Sequence, residues 1–522
     1  MPPPNKKNIQ GDIWPRLPKK AETFYFFRIT KPEVFKTHLS QLAPLLTTAE
    51  DAQRMREDIY RKKEAGTLKG LIKLSAINVA FSSKGLAKLG AEGFADDLFN
   101  NGQWQDMTHP GTGEDPKKHQ GLDDQQDWYH QFKPRNGSVD GVFIVAGDSD
   151  QTVKKTIESL IEKIFNVGVA GQSLQRIFSQ SGNVLPDDRE HFGWVDGISQ
   201  PVVIGLDDLT KAKSPNGLKP IPAGTILVGC DEDKTKYPGW AKEGSFMVYR
   251  VYEQRTPEFV MWCGANTPSV QTEGFSETAK KELRLFSSRV MGRWPDGAPL
   301  ELYPDSDPSH ILSADPHENY ELLKKEWGDD FDRKYKEQEA TNHTDNFNYN
   351  ADDQTRCPFA SHIRKCGPRD DHPFYTKHLM LRRGIPYGPL TTNNEKAGGV
   401  SQTERGLLFV SYQSNIKNGF HTVQKEWANT AEGPDDKTDQ CGGKAPQGID
   451  PIIGQVAPHC RHDEDPVIYN APVPAVNLPD PRVPPPEINE RTVPIQRWVI
   501  PHGGEYFFTP SISGIQDHLC KA

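Results

Sequence analysis

A chain of 522 residues is long enough for two domains with substantial cores. Its net charge of −9 is spread among 62 Lys and Arg and 71 Asp and Glu, with no basic face for nucleic acid and no acidic tail, so the expected ligand is a small molecule. No apolar run approaches the ~20 residues that span a bilayer, and the seven cysteines, scattered and free of CxxC or CxxCH spacing, argue against a disulfide scaffold, a zinc finger and covalently attached c-type haem.

The first stretch, MPPPNKKNIQGDIWPRLPKK, has lysines but no apolar segment of a signal peptide. A mature or recombinant start would look the same, so a soluble protein is expected and its compartment stays open. ETFYFFRIT (22–30) then reads as a strand leading into the helical PEVFKTHLSQL, and LSAINVAFS (74–82) as a strand leading into SKGLAKLG. VDGVFIVAGDS (139–149) precedes DQTVKKTIESLIEKIF, whose Val153, Ile157, Leu160, Ile161 and Ile164 share one helical face.

The polar, Pro- and Gly-rich GLDDLTKAKSPNGLKPIPAG (205–224) marks a boundary, dividing the chain into 1–215 and 216–522. The pattern then repeats. SFMVYRVYEQ (245–254) precedes the helical RTPEFVMWCG, HLMLRRGIPYG (378–388) reads as strand and turn, and RGLLFVSYQS (405–414) runs into NIKNGFHTVQKEWAN. The likeness of GVFIVAGDSDQTVKKTIESLIEKIF to GLLFVSYQSNIKNGFHTVQKEW points to one βα module used twice, hence to an α+β protein with a ligand between sheet and helices. Two stretches, 303–356 and the Pro-rich 431–499, read as long surface excursions, and GGEYFFTPSISG near the end returns to strand chemistry.

Three short stretches hold the residues that could carry chemistry. In HFGWVDGISQP (191–201), Asp196 sits among Phe192, Trp194, Val195 and Ile198, where scarce water would raise its pKa and let it move a proton; the alternative is an Asp that caps its own turn. In RCPFASHIRKCGPR (356–369), His362 is either a hydrogen-bonded structural residue or a ligand. Arg364 favours the ligand, since a haem propionate needs a cationic partner near the iron-binding side chain. In LRRGIPYGP (381–389), strand alternation sends Arg382 and Arg383 to opposite faces, so one points inward or into a cavity and needs an anion, a polarised oxygen or a carboxylate; Asp196 could supply the last, and a purely structural ion pair is then the alternative.

Together GWVDGISQP, CPFASHIRK, LRRGIPYGP, RGLLFVSYQS and DPIIGQ, in this order and spanning roughly residues 8 to 510 from NIQGDI onward, resemble the signature set of the dye-decolorizing peroxidases, particularly their larger fungal members. The resemblance implies two ferredoxin-like domains of the dimeric α+β barrel type, with one haem b held non-covalently between them on the C-terminal half. It matches His362 to the proximal iron ligand, Asp196 to the distal acid-base residue and Arg382 to the distal arginine. Leu407 and Phe409 match apolar residues over the haem, and Asp450 the carboxylate that accepts the imidazole's other N–H, with Asn415 a second candidate. Tyr387 and Trp427 lie where fungal relatives place oxidisable surface aromatics that relay electrons from donors too large to reach the haem. Trp194 stands where many relatives have Phe, and Cys366 where they often have Thr.

The expected function is therefore peroxidase chemistry with hydrogen peroxide and bulky aromatic donors, in a monomer or homodimer that binds neither nucleic acid nor membrane. Two other readings remain: a haem carrier or sensor of the same fold, which would need His362 but neither Asp196 nor Arg382, and a haem-free hydrolase using Asp196 with another acid.

Overall fold

In the computed structural model, the residues described are 2–67, 72–109, 122–134, 139–209, 219–274, 276–307, 347–351, 353–430, 433–434, 437–438, 444–445, 447–455, 470–472, 490–492 and 497–521. The boundary expected at 215/216 and most of the excursions expected over 303–356 and 431–499 lie outside them.

Nine strands form one antiparallel sheet: β1 (Ala21–Ile29), β2 (Ser75–Phe81), β3 (Gly141–Gly147), β4 (Leu174–Asn183), β5 (Ser245–Gln254), β6 (Leu381–Arg382), β7 (Ile385–Tyr387), β8 (Gly406–Gln413) and β9 (Val499–Thr509). Their order is β4-β1-β3-β2-β9-β5-β8-β6, with β7 also on β8. The first four strands run fourth-first-third-second, and β5, β6 with β7, β8 and β9 repeat that order. The likeness between the segments at 141 and 406 is thus structural: β3 and β8 are the third strands of two ferredoxin-like units, each followed by a helix, Asp150–Thr156 and Lys417–Trp427. The unit sheets join through the single register pair Phe508 to Phe81. At the far end β4 lies against β7, where a Cβ on Gly182 would meet the Pro386 carbonyl oxygen at 2.5 Å. The sheet is in effect a closed barrel.

Period-two alternation explains how it fills. On β1, Phe24 and Phe26 point inward to meet Tyr249 of β5 at 4.8 and 4.9 Å between ring centroids. Phe27 points outward and stacks on Phe35 at 5.6 Å. Phe35, Leu39 and Leu42 form the buried stripe of helix Pro32–Leu42. The next helix, Ala49–Glu64, starts at a reciprocal cap between Thr48 and Asp51. β4 was not foreseen: LQRIFSQSGN is an edge strand, mostly polar and part exposed, and lacks the apolar run that marks its neighbours. Among the described residues, no helix is long and apolar enough to cross a membrane.

Candidate active site

The C-terminal unit leaves a cavity between the outer face of its sheet and the helices banked on it. Strand alternation turns Tyr252, Arg382, Leu407 and Phe409 outward into this cavity, while Leu381, Leu408, Val410 and Tyr412 are buried in the barrel core. The short helix His362–Cys366, helix Lys417–Trp427 and the loop 190–201 complete the walls, so His362, Asp196, Arg382, Leu407 and Phe409 all border one space.

His362 opens its helix after Ser361, whose buried hydroxyl donates to the Arg289 carbonyl at 2.5 Å and pins the helix start to Glu277–Met291. The imidazole Nδ1 lies 2.8 Å from Asp450 Oδ2, with Nδ1 the donor to the carboxylate, so Nε2 is left on the cavity side. Asp450 is fully buried, and its Oδ1 accepts the N–H groups of Ile452 and Ile453 at 2.8 and 3.0 Å. Burial disfavours its charge, yet His362 and these two amides outweigh burial and hold the carboxyl below its ordinary range. Burial likewise opposes a charged imidazole, and Asp450 and then Cys366 overcome it, raising His362 well above the usual value. Cys366 Sγ, for which the sequence offered no role, donates to Asp450 Oδ2 at 3.3 Å. Asn415 is not the partner: it caps the turn at Asn418 and reaches Tyr237.

Arg364 corrects an expectation. It is 2% exposed and stacked on Tyr349 and Phe359, with its donors committed to Asp371 and to the carbonyls of Asn350, Asp353 and Cys357. A guanidinium so saturated has no N–H left for a propionate. Arg293 and Arg369 border the cavity instead; their sequence surroundings, WPDG and GPRDD, gave no signal beyond a surface charge.

Asp196 also departs from expectation, because it is exposed at the cavity rim. Phe192 and Trp194 on either side of Gly193 are buried, and the positive φ of Gly193 (103°) and Gly197 (76°) lets the chain turn the carboxylate away from them. Asp196 Oδ1 accepts its neighbour Gly197 N–H at 2.6 Å, the turn-capping alternative, while Oδ2 has no partner among the described residues. The carboxyl that burial does act on is Glu190, which sequence reading missed. Desolvation lifts it to about 7, with Asp196 adding to the rise, although it accepts the N–H groups of Phe192 and Trp194 at 2.8 Å and Gln254 Nε2 at 2.6 Å.

Arg382 donates to the Ser199 carbonyl at 2.7 Å rather than pairing with Asp196. Arg383, as alternation requires, points the other way and is buried; its donors go to the carbonyls of Asp12, Ile13 and Arg382, so polarised oxygens serve it rather than an anion or a carboxylate.

Trp427 and Tyr387 are each 5% exposed, so neither is a surface aromatic as expected; helix packing covers one and strand β7 carries the other inward. Trp427 packs with Tyr375, Val423 and Met380, which border the cavity, and edge-on against His372 and His378 at 5.2 and 4.9 Å. Tyr387 donates to Glu404 at 2.8 Å, and Tyr129 donates to the same oxygen.

A doubled ferredoxin-like barrel whose C-terminal cavity is bordered by the His362–Asp450 pair, an exposed aspartate and an arginine has the makings of an oxidoreductase site. Family comparison agrees. Residues 8–186 match the DyP dimeric alpha+beta barrel domain and residues 291–442 the C-terminal domain of Dyp-type peroxidases. The chain is 32% identical to a dye-decolorizing peroxidase of Auricularia auricula-judae, over 99% of this chain and 87% of that one. It is 33% identical to peroxidase 2 of Mycetinis scorodonius, over 99% and 88%. The solved structure of an ancestral D-type dye decolorizing peroxidase superposes with a TM-score of 0.77 at 38% identity, covering 99% of both chains. A dye-decolorizing peroxidase in complex with 2,6-dimethoxyphenol gives 0.75 at 32%, covering 99% of this chain and 100% of that one. The chain belongs to the dye-decolorizing peroxidases and is a peroxidase of their larger, fungal type.

Proposed function

We propose that this peroxidase holds one haem b in the cavity between its C-terminal sheet and helices, and there reduces hydrogen peroxide at the expense of bulky aromatic donors. The residues present fit such a group. His362 Nε2 would hold the iron, its other nitrogen being already oriented by Asp450. The walls offer Leu407, Phe409, Ile452 and Val499 to an apolar ring, and Arg293 and Arg369 to its carboxylates. When bound, the haem would supply the redox chemistry: two electrons for the peroxide, regained one at a time from donors.

The chain's own residues move the protons. Asp196 Oδ2 takes the proton from one peroxide oxygen and delivers it to the other, which leaves as water. Arg382, held at Ser199, stabilises the negative charge that gathers on the departing oxygen. Asp450 keeps the imidazole electron-rich and fixes its tautomer. A carrier would need His362 alone; that Asp196 and Arg382 border the same cavity is the observation that carries the peroxidase reading.

The test is the absorption spectrum of the purified holoenzyme. A Soret band is expected that changes on one equivalent of hydrogen peroxide and returns when 2,6-dimethoxyphenol is added, and His362→Ala should abolish it. A band indifferent to peroxide, or one that survives His362→Ala, overturns the assignment.

A further inference from the structure

A second cavity, of about 770 Å³, opens beside the first and shares Glu190, Asp196, Arg382 and Leu407 with it. The rest of its lining comes mostly from the N-terminal half of the chain and combines apolar Leu17, Ile59, Leu74, Val184 and Pro386 with the guanidiniums of Arg16, Arg56 and Arg383.

The charges on this lining are unevenly matched. Lys19 is paired with Glu22 at 2.6 Å, Lys20 with Asp188 at 3.5 Å, and Arg189 with Asp296. Asp148 accepts the Leu74 N–H at 3.0 Å. By contrast, neither the Arg16 nor the Arg56 guanidinium has an ion pair or hydrogen bond among the described residues, and Arg383 spends its donors on carbonyls alone. Burial, and then the charge of Arg16, push Arg56 down to about 10. Arg383 is pushed down to about 10 by burial, with Arg16 and Arg56 contributing against the attraction of Asp12.

The fold holds these like charges together. Arg16 has a positive φ of 117° and its N–H donates to the Gly11 carbonyl at 3.2 Å. Gly11 in turn lies so close to helix Ala49–Glu64 that a Cβ there would sit 2.9 Å from Ala52. Arg56 leaves the same helix one turn beyond Ala52, and the fully buried Leu17 follows Arg16. Mutual repulsion kept in place by packing is relieved by an anion, and two guanidiniums suit a planar oxyanion better than two ammonium groups would.

We infer that this cavity binds an aromatic carboxylate, its oxyanion on Arg16 and Arg56 and its ring against Leu17, Ile59 and Leu74. A bare inorganic oxyanion would meet the charges and leave the apolar side chains wet; an uncharged ring would do the reverse. Arg16, Arg56, Leu17, Ile59 and Leu74 lie outside the residues that the two cavities share, so the inference does not depend on the roles given to Asp196 or His362.

Isothermal titration of the resting holoenzyme, without peroxide, tests this with three probes: 3,4-dimethoxybenzoate, its uncharged methyl ester, and inorganic phosphate. The carboxylate should bind about tenfold or more tighter than either other probe, and more weakly as sodium chloride is raised. Arg56→Gln should weaken the carboxylate about tenfold and leave the ester unchanged. Arg16→Gln, at an exposed position where folding is not at risk, should act in the same direction. Equal affinity for carboxylate and ester, phosphate binding as tight as the carboxylate, absence of binding, or indifference to both substitutions overturns the inference.

Discussion

Glu190 and Asp196 stand six positions apart on one turn and have opposite surroundings. Glu190 titrates near 7 in the folded protein against an ordinary 4.5, so between those values the native state holds a proton that the unfolded chain has released. Stability is then greatest below the lower value and falls as pH rises to about 7, by at most about 3 kcal/mol. Glu190→Gln keeps an acceptor for Phe192 or Trp194 and removes the ionisation. Melting temperature measured from pH 4.5 to 7.5 should therefore decline less steeply in the variant, and parallel curves would remove Glu190 as the source. Asp196 is exposed, so Asp196→Asn should leave stability within about 0.5 kcal/mol. Its effect belongs to the proton transfer: the rate with peroxide should fall about 10²–10⁴-fold while the resting haem spectrum is retained. An unchanged peroxide rate in stopped flow would take the proton shuttle away from Asp196.

At the level of elements, barrel closure depends on how nearly β4 and β7 touch. Gly182 has no room for a side chain, because a Cβ would lie 2.5 Å from the Pro386 oxygen and 2.7 Å from Ile385 Cγ2. Gly182→Ala should cost about 1–3 kcal/mol in urea unfolding, whereas Gly93→Ala, with nothing within 4 Å of its Cβ, should change stability little. Equal effects of the two would mean that the seam is open. The doubled βα module was legible before this contact was, because β3 and β8 carry the same apolar run followed by a helix, and periodicity survives in sequence. β4 was not, since an edge strand needs only one covered face. The resemblance put Asp450 ahead of Asn415, but what brings Asp450 onto His362 was not in the pattern: its loop is fixed by its own amides at Ile452 and Ile453. Arg364 misled for a related reason. Its partners come from 350–359 and from Asp371, segments that close around it only in three dimensions.

Across the whole molecule, two groups of aromatic contacts could link the cavity that suits a haem to the surface. One passes from the cavity wall through Trp427 to His372 and His378, and the other from β7 through Tyr387 to Glu404 and Tyr129. Both aromatics are buried, so a donor need not touch them; it needs only to reach the half-buried His372, His378 and Tyr129 or the exposed Glu404. Tyr387 hydrogen-bonds a carboxylate, which gives its phenol a base for the proton it must lose with an electron, whereas Trp427 has no carboxylate partner among the described residues. If these routes serve bulky donors, the double variant Trp427→Phe, Tyr387→Phe should lower kcat/KM for a large dye about tenfold or more, equivalent to about 1.4 kcal/mol. The rate of the reaction with peroxide should stay as it was, because neither residue borders Asp196 or Arg382. A phenol small enough to enter the cavity should be oxidised nearly as fast as before. The single variants then apportion the flow: loss confined to Trp427→Phe assigns it to the helix side, and loss confined to Tyr387→Phe to the Glu404 side. Equal losses for dye and small phenol would mean that both donors react at the cavity mouth, and the buried aromatics would then be packing alone.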